Sequence, residues 1–127
     1  MQEKHLFEYA VIRVVPRVER EEFMNVGVVV YCSKEKFLGV LMNLNTEKLS
    51  MFCQDLDLEV LEGNLCAFER ICEGAEQGGT IGKLDMASRF RWLTATRSTV
   101  LQTSRAHAGL CTNANETLLK LYNQMVL

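Results

Sequence analysis

The usual signatures of a reaction or a bound cofactor are missing from these 127 residues. No C-x-x-C pair occurs among Cys32, Cys53, Cys66, Cys72 and Cys111, so neither a zinc knuckle nor a thioredoxin-type site is written here. The cysteines are odd in number and several fall on apolar stripes, where a free cysteine behaves as a small hydrophobe. They read as reduced core residues of a cytoplasmic protein. His5 and His107 are the only histidines, and neither stands in an H-x-x-E, H-E-x-x-H or nucleophile-elbow setting. No metal and no cofactor is expected on these grounds. Positive charge is not in excess either. A net charge of -2 argues against a generally basic nucleic-acid binder, while leaving room for a local patch. Long apolar runs are absent: the longest, Val26 to Cys32, is far below the roughly 18 residues of a membrane helix. Met1 to Leu6 lacks the apolar stretch of a signal peptide, so a cytoplasmic location with no membrane partner is expected. There is no internal repeat or low-complexity stretch.

What is present fits one globular domain over residues 1–127, with 48% apolar and 24% charged residues. A chain of this length buries about two-thirds of its unfolded surface and needs no staples to fold. Leu6 to Val15 reads as a strand with two apolar faces, covered on both sides, and Pro16, the only proline, stops it. Asn25 to Tyr31 and Phe37 to Met42 read as an antiparallel hairpin, in which Gly27 and Gly39 mark a bulge or a closely packed helix. Asn45 and Thr46 can cap a short helix to about Cys53. A longer helix starts near Asp57, with Leu58, Leu61, Leu65, Phe68, Cys72 and Ala75 as its apolar stripe and Gly78-Gly79 as its end. Residues 84–95 are ambiguous and admit a short helix. Ser98 to Thr103 reads as a fourth strand, and Asn115 as the cap of a last helix facing inward through Leu118, Leu121, Tyr122 and Met125. The expected class is α+β: an antiparallel sheet of about four strands with helices packed mainly on one face.

Two motifs tempt and fail. In Gly78-Gly-Thr-Ile-Gly-Lys83, Gln77 stands where a phosphate loop needs its first glycine and Leu84 replaces the hydroxyl residue. Asp55, Asp57, Glu59 and Glu62 suit a metal or acid-base site, but they equally suit the first turn of a helix, whose dipole favours negative charge. The stronger signal is the distribution of charge. Glu47 to Glu76 holds eight acids against Lys48 and Arg70, a net of -6, while Lys83 to His107 is at +4. Arg89, Arg91, Arg97 and Arg105, with Trp92 and His107 among them, form a candidate anion- or partner-binding segment. Arginine forks hold carboxylates and phosphates by two hydrogen bonds, and flat rings stack on bases. The same arginines can instead pair with the acidic helix, or serve a protein interface.

Tyr9-Ala-Val-Ile-Arg-Val-Val-Pro16 with Glu22-Phe-Met-Asn-Val-Gly-Val-Val30 resembles the N-terminal block of the bacterial "domain of unknown function 3037" family. Arg89-Phe-Arg-Trp-Leu-Thr-Ala-Thr-Arg-Ser-Thr-Val-Leu-Gln102 and His107-Ala-Gly109 resemble its second block. Thr96 stands where that family commonly has proline, which leaves the turn before Arg97 open. The resemblance implies a small bacterial protein with no assigned catalytic residue. It also implies a protein partner, a kinase-like protein of the HipA type. Three readings follow. The first is a non-catalytic binding or accessory module that uses the arginine-rich segment to hold an anionic or phosphorylated ligand, nucleic acid or protein. The second is an enzyme whose pocket joins His107, the arginines and Asp85 or Glu22 around a phosphorylated or nucleotide substrate. The third is a homodimer formed through edge strands or the last helix.

Overall fold

Strand β1 (His5–Val14) is the axis of the molecule. In the computed structural model, which describes residues 3–74, 76–97 and 99–127, it is paired along both edges and covered on both faces. Ala10, Ile12 and Val14 point to one face and Phe7 to the other, all buried, as strand alternation requires. Strand β2 (Met24–Cys32) pairs antiparallel with β1. Ile12 faces Gly27 and Arg13 faces Asn25, so Val26 is an extra residue and the ladder bulges there. Strand β3 (Phe37–Met42) completes a hairpin through a turn over Ser33–Lys36, in which Lys36 takes a φ of 52°.

The other edge of β1 receives two short strands in succession. Strand β4 (Leu101–Thr103) pairs with Ile12–Val14, and β5 (His107–Cys111) with His5–Tyr9. Ser104 bridges the break between them. Its backbone N–H donates to Val11 O at 2.8 Å, and its hydroxyl accepts from Val11 N–H at 2.9 Å.

Helices α1 (Thr46–Phe52), α2 (Leu58–Glu73) and α4 (Met86–Leu93) start at Asn45, Asp57 and Asp85, whose side chains accept from Lys48, Val60 and Ser88 N–H. Each cap satisfies an amide that the helix cannot. These helices bury Leu49, Leu61, Leu65, Phe68, Phe90 and Leu93 on the Ile12 face, with the short α3 (Gly79–Gly82) between α2 and α4. Helix α5 (Ala114–Met125) covers the opposite face, where Ala114 and Leu118 meet Phe7, Val28, Val30 and Cys32. At Gly39 a Cβ would strike the Phe37 ring and reach Leu118, so the bare glycine lets α5 approach the sheet. No helix among the described residues is long and apolar enough to cross a membrane.

The α+β class and the antiparallel sheet agree with expectation, while the helices supply buried residues to clusters on both faces. Three details differ. Among the described residues the sheet has five strands, because β5 adds to it. Helix α2 ends at Gly74, with a φ of 75°, and residues 76–78 form a 3-10 turn, so Gly78-Gly79 is not the end. The cap of α5 is Asn113, which accepts from Glu116 N–H, and not Asn115. Ala75 and Ser98, expected in the α2 stripe and at the start of β4, lie outside the described residues.

Candidate functional site

Helix α4 is eight residues long and carries three of the six singled-out side chains, which therefore leave it in different directions. Arg89 turns inward and is only 7% exposed. Its guanidinium donates to Leu84, Ile71 and Cys72 carbonyls at 2.9, 3.1 and 2.7 Å. Ile71 and Cys72 close α2, so Arg89 satisfies the carbonyl end of that helix and places a cation on its negative pole. Gly74 makes room for it, since a Cβ there would sit against the guanidinium. The link between the arginine segment and the acidic helix is thus to that helix's backbone.

Arg91 turns toward the sheet and holds the Glu8 carboxylate through two hydrogen bonds of 2.6 and 3.0 Å. That pairing raises the Arg91 pKa further, the hydrogen bonds to Glu8 being the main cause. Arg97 donates to Trp92, Leu93 and Ala95 carbonyls, closing the end of α4, and lies 4.5 Å over the Trp92 ring. Arg105 is exposed and makes no side-chain hydrogen bond or ion pair among the described residues. His107, exposed on β5, places its ring 5.3 Å from that of Tyr9.

These six do not form one surface. Glu8 and Tyr9 are adjacent in β1 and point to opposite faces, so Arg91 and His107 lie on opposite sides of the sheet. The pocket expected to join His107, the arginines and a carboxylate is not assembled. Asp85 caps α4 and Glu22 pairs with Arg20.

What the structure does build beside Trp92 is a groove of about 290 Å³ between α2, α4 and β4. Phe68, Ile71, Leu93 and Leu101 make an apolar floor, with Asn64, Gln102 and the Trp92–Arg97 pair at its rim. Trp92 is 42% exposed, large for the one tryptophan of a small domain. The aromatic among the arginines is visible in the sequence. The floor is not, because Leu101 reaches it only through the pairing of β4 with β1.

A larger open depression of about 350 Å³ lies at Pro16, Phe52 and Cys53, where Arg17 approaches Asp55 at 3.9 Å. Its charged groups are matched among themselves. A third assembly, at the far end of the sheet, gathers His5, Cys32, Glu35 and Cys111.

No curated protein and no solved structure matches the chain. One family model does match, over residues 9–126, and so spans the sheet from within β1, the α4 segment, the groove and α5. By that match the chain belongs to the family described as "Protein of unknown function (DUF3037)".

Proposed function

We propose that the chain is a non-catalytic binding or accessory module that receives an apolar side chain of a protein partner in the Trp92 groove. The observation that carries this reading is the half-exposed Trp92, stacked under Arg97 at the edge of an apolar floor. Tryptophan and arginine dominate the energetics of protein interfaces when they border a pocket that excludes water. An anionic ligand is less well served there. The Arg97 guanidinium already donates to three carbonyls, Arg89 is inside the fold, and Arg91 is neutralised by Glu8. Favouring a protein over nucleic acid follows from these engagements together with the net charge of -2.

Because Trp92 is the only tryptophan, its fluorescence reports directly on the groove. The test is capture of partners from host cells under nuclease, followed by titration of the purified partner against Trp92 emission in the parent chain, with the variants' affinities read by calorimetry. The expected result is a stoichiometric protein that shifts the emission and binds Trp92→Ala and Asn64→Arg at least about tenfold more weakly. A partner that binds both variants as tightly as the parent chain, or recovery of nucleic acid alone, overturns the reading.

A further inference from the structure

The cluster at the far end of the sheet is assembled from four separate segments. His5 begins β1, Cys32 ends β2, Cys111 ends β5, and Glu35 belongs to the β2–β3 turn. His5 faces Cys111 directly across the β1–β5 ladder. Cys32 and Cys111 are buried, while the His5 and Glu35 side chains are 20% and 22% exposed. Three donors converge on a single carboxylate oxygen. Glu35 Oε2 lies 3.2 Å from His5 Nδ1, 3.5 Å from Cys111 Sγ and 3.7 Å from Cys32 Sγ.

The Cys32 thiol also has Leu6 O as an acceptor at 3.5 Å, so hydrogen bonding to Glu35 is not what holds all three groups at this oxygen. Zinc bonds of about 2.0–2.3 Å at tetrahedral angles separate neighbouring oxygen, nitrogen and sulfur donors by roughly 3.3–3.8 Å, close to the three spacings measured from Glu35 Oε2. The ligating atoms of His5, Cys32 and Glu35 all fall within 4.8 Å of one another.

We propose that His5 Nδ1, Cys32 Sγ, Cys111 Sγ and Glu35 Oε2 bind one thiophilic divalent cation, zinc by its donor set. His5, Cys32 and Glu35 are the mutually close donors, and Cys111, 3.5 Å from Glu35 Oε2, would supply the fourth, closing the coordination sphere as in a structural site. One further contact supports it. Glu35 Oε1 accepts from the Ala114 N–H at 3.0 Å, which orients the carboxylate. Outer partners of this kind hold metal ligands in position. On binding, the thiols ligate as thiolates and their protons leave to solvent. The ion would tie β1, the β2–β3 turn, β5 and the start of α5 together. Along the chain only Cys32 and Glu35 lie close, three residues apart, and His5 and Cys111 join them only through the pairing of the strands.

The test is a Co²⁺ titration of the reduced, chelator-treated chain, followed by absorbance and then by displacement with Zn²⁺. The expected result is one equivalent bound, with a thiolate-to-cobalt charge-transfer band and the intense visible bands of four-coordinate cobalt. Cys32→Ser and Cys111→Ser lose the charge-transfer signal, and Cys66→Ser, on the exposed side of α2, keeps it. Glu35→Gln, in a surface turn, retains the fold and weakens binding by about a hundredfold or more. Absence of the band in the parent chain overturns the proposal whether or not the variants fold. Signal that survives Cys111→Ser also overturns it.

Discussion

Ser104 occupies the position where β1 changes partner, and its hydroxyl does what a strand carbonyl would otherwise do. It accepts from the buried Val11 amide and donates to Arg105 O at 3.0 Å. Ser104→Ala leaves that amide without a partner, which costs about 1–3 kcal/mol, measurable by chemical denaturation. Arg89 is the second residue whose role is internal. Arg89→Met strands the carbonyls that end α2 and is expected to cost roughly 2–4 kcal/mol, while Arg105→Ala stays within about 0.5 kcal/mol. Equal losses for the two would refute the assignment of Arg89 to the core. In the sequence these two arginines look alike. Their difference arises because residue 89 falls on the face of α4 that also buries Phe90 and Leu93, next to the end of a helix sixteen residues earlier.

Elements with a strong period are legible in the sequence alone. The valine-rich β2, the alternating β1 and the stripe of α2 each carry many residues that agree on one geometry. Strand β5 is not legible, because His107-Ala-Gly-Leu-Cys111 has no β-branched residue and forms by pairing with β1. Glycine misleads at the end of α2: three candidates lie close together, Gly74 and Gly79 both take the left-handed conformation, and it is Gly74 that ends the helix beside Arg89. Two asparagines compete likewise at the start of α5, and Asn113→Ala is predicted to cost about 1 kcal/mol where Asn115→Ala costs little.

The Asp85 cap of α4 makes a pH prediction. Backbone and side-chain hydrogen bonds from Ser88 hold its carboxyl below the usual range. A group with a depressed native pKa stabilises the fold above its unfolded value, and that contribution is lost as pH falls through the native one. Asp85→Asn should therefore flatten part of the acid limb of the stability–pH curve and leave its alkaline limb unchanged.

At the scale of the whole molecule, two apolar clusters share one sheet, with α1, α2 and α4 over one face and α5 over the other. Neither is separable, since β1 and β2 contribute to both. Phe90→Ala and Leu118→Ala, one in each cluster, should cost about 3–5 and 2–5 kcal/mol, and both variants should still unfold in a single transition. The sandwich also explains why the site is only half visible in the sequence. Alternation along β1 sends Arg91 and His107 to opposite sides, while Trp92 gains an apolar floor from α2 and β4.

The groove and the arginine segment make opposite forecasts for one measurement: capture of the partner, under nuclease, by the parent chain, by Trp92→Ala and by an Arg91→Ala/Arg105→Ala double variant. Loss of the partner with Trp92→Ala and its retention by the arginine variant is the predicted result. Retention by Trp92→Ala with loss in the arginine variant, or a parent chain that captures no protein, would contradict it.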